Sequence, residues 1–199
     1  MMDLITVDTA FYIIKARDLL SSCILNIRKA KALGLLLVIL LFFFRNAAAQ
    51  TVDYSVHANI IYHLIKYIDW PENKKTGDFI IGVIGDSPIV EELRNATQSK
   101  QTNNQKINIK VYSYNQASYN CQVLFISEED INSLKRIRTT FATEPILLIT
   151  EEEGLASKGS CINFIIVDGK LKMEINVNNI ESRNLKIASE LLTLGRIIK

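Results

Sequence analysis

The sequence is poor in the residues that metal and covalent chemistry need. Two histidines, three cysteines and one tryptophan occur in 199 residues. His57 and His63 stand six apart, so on a helix they project about 120° from each other and share no metal ion. So few thiols leave a zinc site short of ligands. A Ser-His-Asp triad would have to use one of the same histidines, and no G-x-S-x-G elbow occurs. Glycine is scarce as well, with eight in all. Gly82 and Gly85 lie where a strand enters a helix, but a dinucleotide loop needs three glycines at set spacing. Gly85 reads as turn punctuation. Glu151-Glu152-Glu153 reads as a solvated loop rather than a cation site, and Asn95-Ala96-Thr97, a glycosylation pattern, means little if the source is bacterial. The expectation is a chain with no catalytic residues, no cofactor and no metal.

What is present begins with an uneven charge. Lys15, Arg17, Arg28, Lys29, Lys31 and Arg45 precede residue 51, against Asp3, Asp8 and Asp18. Residues 51–199 keep 17 basic and 18 acidic groups, a net of −1, so the basic balance belongs to the leader and no nucleic-acid partner is expected. Arg28, Lys29 and Lys31 precede a 13-residue apolar run, Ala32 to Phe44, and Ala47-Ala48-Ala49 follows. Positive flank, short apolar stretch and small-residue site are the signature of a secretory signal peptide, cleaved before Gln50. As a helix the run spans about 20 Å, short of the roughly 30 Å of hydrocarbon in a bilayer. An uncleaved inner-membrane anchor and a buried core helix are the competing readings. The 27 residues ahead of Arg28 are surplus for a signal peptide and suggest a translation start further in.

Hydrophobic residues at 48% and charged ones at 22% describe a globular domain. Apolar positions from Tyr54 to Asp69 follow a helical period that Trp70-Pro71 stops. Phe79–Gly85, Cys121–Ile126 and Pro145–Thr150 are continuous apolar runs, as strands buried on both faces would be. Ser87-Pro88 should cap and open a helix through Leu93, and Ser127 another through Ile137. Thr97–Gln105 reads as a polar linker and Ile109–Tyr114 as a strand. Ile162–Val167 and Lys170–Asn176 flank Asp168-Gly169, the two-residue turn of a hairpin. Leu185, Ala188, Leu191, Leu192 and Ile198 suggest a C-terminal helix. Residues 1–49 are then prefix and signal peptide. Residues 50–199 form one α/β domain of three layers, a mainly parallel sheet flanked by helices with an antiparallel C-terminal hairpin.

Five fragments in order carry a family resemblance: YHLIKYIDWP (62–71), FIIGVIG (79–85), CQVLFIS (121–127), Ile146–Asn176 and Leu185–Ile198. Together they resemble the YfiR/HmsC-like periplasmic proteins. Gly159-Ser160 stands where relatives often have Gly-Gly, and Cys161 and the long polar 97–105 segment depart from the pattern. The resemblance implies a small periplasmic regulator rather than an enzyme. Such a protein represses a membrane-bound diguanylate cyclase through its periplasmic part, and redox or envelope stress releases cyclic-di-GMP synthesis and biofilm formation. It also implies a homodimer.

Trp70 and Pro71 close a helix at a loop, where the indole either anchors a partner or folds back on the core. Lys66 lies one turn earlier and could share that face. Glu174 should face opposite to Met173 and Ile175, and Asn176 could cap the last helix. These five are the candidate partner-binding residues. Cys121 and Cys161, the thiols left after export, either form one disulfide or stay as small buried residues. A second hypothesis is a periplasmic ligand-sensing module working with a histidine kinase and binding at the carboxyl ends of the parallel strands. N-terminal sequencing of the exported protein should return Gln50 as its first residue; a mature chain that retains Ala32–Phe44 would establish an anchor.

Overall fold

An aspartate opens the first helix of the computed structural model, which describes residues 52–198. The leader and its cleavage site lie outside the described residues. The Asp53 carboxylate accepts from the Ser55 backbone N–H at 3.0 Å, satisfying one of the amides that a helix start leaves without a partner. Helix α1 (Tyr54–Leu64) tightens into a 3-10 turn (Ile65–Tyr67) and gives way to a two-residue strand, β1 (Ile68–Asp69). The helix therefore ends well before Trp70-Pro71. Residues ahead of a proline favour extended geometry, and β1 uses it by pairing antiparallel with β9 (Lys186–Ile187).

The three apolar runs become β2 (Phe79–Ile84), β5 (Val123–Ile126) and β6 (Leu147–Thr150). Every residue of β5 and β6 is buried, as strands covered on both faces must be. With β3 (Gln101–Thr102), β4 (Gln105–Tyr112), β7 (Ile162–Val167), β8 (Lys170–Asn176) and β10 (Arg196–Ile198) they build one sheet, ordered β10-β8-β7-β6-β5-β2-β4-β3. Neighbours pair in parallel except at β7–β8 and β3–β4, which are antiparallel. The C-terminal hairpin forms on Asp168 and Gly169, at φ 51° and 69°, as the turn chemistry requires. Helices α2 (Ile89–Thr97) and α3 (Asn132–Thr140) follow β2 and β5. The covering elements are short helices and 3-10 turns rather than regular layers, so the description that holds is a mixed α/β domain.

Four local expectations change. Pro88 rather than Ser87 stands at the head of α2, which runs on to Thr97; the Ser87 carbonyl accepts from Val90 N–H, and its hydroxyl makes no hydrogen bond. A 3-10 turn (Glu128–Asp130) separates Ser127 from α3. The supposed linker 97–105 holds the β3–β4 hairpin, turned by Asn103 and Asn104 at φ 47° and 64°. Asparagine tolerates that left-handed geometry, so this pair serves as a two-residue hairpin turn.

The fourth change is the largest. The expected C-terminal helix is α4 (Val177–Glu181), β9, α5 (Ser189–Leu192) and β10 in succession. β10 lies parallel to β8 and covers its outer edge. Gly195 makes this approach feasible, because a Cβ there would sit 2.9 Å from both the Met173 carbonyl oxygen and Ile175 Cδ1. Among the described residues no helix is long and apolar enough to cross a membrane. Gly195→Val should cost about 1–3 kcal/mol through overpacking, read as a lower urea midpoint at unchanged slope. An unchanged midpoint would mean that β10 does not rest on β8.

Candidate interaction surface

Trp70 is turned inward. It is 3% exposed, its indole N–H donates to the Gln122 carbonyl at 3.2 Å, and its ring meets Phe79 edge-on at 5.1 Å. Gln122 fixes the same corner with its side chain, accepting from Ile80 N–H and donating to the Lys74 and Asp78 carbonyls. The indole therefore caps the core and is not an exposed anchor. Pro71 is half-buried beside it, while Lys66 is exposed with its ammonium 4.5 Å from the Tyr62 ring. Lys66 and Trp70 share no face.

Cys121 and Cys161 are both free and buried. They precede β5 and β7, which β6 separates. Two strand spacings are roughly 10 Å, beyond the roughly 7 Å between Cα atoms that a disulfide can close. The pairing that the cysteine count allowed is not made. Burial pushes the Cys121 thiol up to about 12 and raises that of Cys161. Buried, protonated thiols are chemically inert, which removes these two as redox sensors of the folded domain.

Glu174 is 3% exposed and sits in a polar row that crosses four strands. Thr150 stands opposite Asn163, Asn163 opposite Glu174, and Glu174 opposite Arg196. Thr150 donates its hydroxyl to Asn163 Oδ1 at 2.6 Å. Asn163 Nδ2 donates to Glu174 Oε2 at 2.8 Å and to the Glu152 carbonyl at 2.9 Å. Both partners are acceptors, which fixes the orientation of that amide. The Arg196 guanidinium pairs with Glu174 Oε1, its own side chain 66% exposed. Asn176 also turns inward, its Oδ1 accepting from Asn179 N–H at the head of α4 and its Nδ2 donating to the Ala156 carbonyl. Asn176 does cap a helix, though it is α4 and not the last helix of the chain.

Arg196 also borders the largest concavity described, a half-open groove of about 680 Å³. Its walls come from α1, the β7–β8 hairpin, α5 and β10, with Ile60, Leu64, Phe164, Leu171, Met173 and Leu194 facing it. His63, Tyr67, Lys172, Thr193 and Arg196 are the polar residues at its border, and among the described residues no carboxylate lines it. Ile166, Val167, Leu194 and Ile197 are all more than 40% exposed, two of them lining the groove. Beneath the groove His57 packs edge-on against Phe164 at 5.0 Å, and burial holds its imidazole below the ordinary histidine pKa.

A family model described as YfiR/HmsC-like matches residues 54–196, from the first residue of α1 to the first of β10. The chain belongs to this family. The match spans every element that builds the groove and the polar row. No curated protein matches the chain. The five candidate partner-binding residues singled out from sequence are divided by the fold: Trp70, Glu174 and Asn176 are internal, Lys66 is exposed and Pro71 half-buried. Thr150, Asn163 and Arg196 were missed. The hairpin turn carried the signal for Asn163, since a two-residue loop at 168–169 pairs 163 with 174. Arg196 had none, because its own strand, β10, was read as helix.

Glu174→Gln places an amide where two donors converge, and at least one donor loses its acceptor. The expected cost is about 1–3 kcal/mol, measured by urea unfolding, with the exposed Lys172→Gln within about 0.5 kcal/mol of the parent. Equal midpoints for both variants would show that the row carries no structural load.

Proposed function

We propose that this chain is a periplasmic, non-catalytic regulator that binds a membrane-bound signalling protein, foremost a diguanylate cyclase, and holds it inactive. The observation that carries the reading is membership of the YfiR/HmsC-like family over nearly the whole described domain, a family of periplasmic regulation in cyclic-di-GMP signalling. Export by a cleaved signal peptide within residues 1–49 belongs to the same proposal. The contact surface differs from the one suggested by sequence. Buried Trp70, Glu174 and Asn176 act by shaping the domain, whereas Val167 and Leu194 leave apolar side chains in water at the groove, and Ile166 and Ile197 do so elsewhere on β7 and β10. A sensor module working with a histidine kinase is the second reading, and the groove is what favours it.

The test is affinity capture from detergent-solubilised envelope membranes, with cyclase activity and mass spectrometry as readouts. The parent protein should retain a cyclase and lower its activity. Leu194→Asp and Ile166→Asp, at sites already 62% and 57% exposed, should fold normally and lose capture at least tenfold. Recovery of neither a cyclase nor a sensor kinase by the parent protein would reject the reading.

A further inference from the structure

The sheet ends, on the side away from β10, in an edge that is only partly closed. β3 pairs with Gln105 and Lys106 alone, so residues 108–112 of β4 have β2 on one side and, among the described residues, no strand on the other. The Tyr112 carbonyl accepts from the N–H of Gly85, just beyond β2, at 3.0 Å. Main-chain groups alternate sides along a strand, so Lys110 and Asn108 also turn theirs to β2. Ile109 and Val111 therefore aim their N–H and C=O groups at the open side. Such an edge is a template for a further strand.

The side chains specify what that strand must carry. Ile109, half-buried, and Val111, 48% exposed, share one face. Lys106, Asn108 and Lys110 share the other, and both lysines are exposed with no carboxylate partner among the described residues. Lys110 instead rests its ammonium 4.9 Å from the centre of the Tyr112 ring. Asp78 accepts from Asn108 Nδ2 at 2.6 Å, but it immediately precedes β2 and so lies on the closed side of β4. Between residues 97–101 and β4 is a cleft of about 420 Å³ bordered by Arg94, Lys100 and Lys106, and among the described residues no carboxylate lines it. A second copy paired there would set its own lysines against these, like charge against like.

We infer that the open edge of β4 takes up an extended segment of another protein that alternates apolar and acidic residues, added antiparallel in line with β3. Its apolar residues lie opposite Ile109 and Val111, the positions that exchange main-chain hydrogen bonds, and its acidic residues meet Lys110 and Lys106. Backbone pairing supplies the affinity, and the two faces select the sequence. The site is at the opposite end of the strand order from the groove, so it stands independently of the regulator reading.

NMR titration of the purified protein with a synthetic peptide of alternating valine and glutamate, long enough to span the edge, tests the assignment. The peptide should bind one-to-one and shift the amides of Ile109 and Val111, and a peptide with lysine in place of glutamate should bind roughly tenfold more weakly. Methylating the valine nitrogens, which face β4, should abolish binding; methylating the glutamate nitrogens, which face water, should not. Lys110→Glu, an exposed substitution, should reverse the preference between the two peptides. Val111→Pro removes an N–H that faces no strand, so it should keep the fold by circular dichroism and lose the peptide. The methylated peptides ask the same question of the unaltered protein. Absence of binding, equal affinity for both peptides, or binding that valine methylation leaves intact overturns the inference. So does a homodimer that Val111→Pro dissociates and the glutamate peptide does not, a result that assigns the edge to a second copy.

Discussion

Glu174 is the only carboxylate-bearing residue buried among the described residues, and much of the domain is arranged around it. A carboxylate removed from water must find donors or carry a penalty of several kcal/mol. Asn163 supplies one from β7 and Arg196 another from β10, so the requirement ties three strands together at a single register. Slipping β8 by one residue would turn Glu174 away from both donors and toward the side that Met173 occupies. The row thus specifies how the C-terminal third is assembled. Gly195 meets the same constraint from the backbone side, letting β10 approach closely enough for Arg196 to reach. The groove is a consequence, since two of its walls exist only because β10 lies beside β8.

Loops elsewhere in the domain are closed by a different device. Gln122 and Trp70 bond to backbone from side chains, as do Lys74 to Cys121 and Gln105 to the 74–77 loop. Arg183, the other buried charge, is spent on the Phe141 carbonyl at 2.8 Å, and Asn179 holds the carbonyls of Ala156 and Ser160. Polar side chains here satisfy loop backbone that would otherwise be buried unpaired. A surface sealed in this way has little to offer a partner. The rim of the groove differs, with the apolar side chains of Val167 and Leu194 left in water, and this asymmetry favours it as the proposed interaction surface.

Elements governed by local chemistry were legible in the sequence. β7 and β8 have the bounds that their alternation and the Asp168-Gly169 turn give, and the buried runs of β2, β5 and β6 are strands. Asn103-Asn104 was legible too, but lay within a stretch dismissed for its polarity. The misreadings share a cause in distance. Whether Trp70 faces water depends on Gln122, 52 residues away, and no feature of the Trp-Pro pair encodes it. Leu185, Ala188, Leu191 and Leu192 keep a helical period, yet the edge of β8 takes up the chain that follows them as a strand. Tertiary pairing overrides a period when an open edge is available. The groove draws on five elements, so no single segment could announce it.

The family resemblance brought redox stress with it, and the two cysteines were the obvious receivers. Their surroundings argue otherwise. Cys121 and Cys161 border β5 and β7, either side of a strand with every residue buried, and exposing them means opening the most protected part of the sheet. That opening carries nearly the whole unfolding free energy, which is a poor basis for a reversible switch. β10 lies at the other extreme: three residues on a sheet edge, held by the Arg196–Glu174 pair and by contact at Gly195. β10 therefore resists displacement less than the buried strands beside the two thiols do.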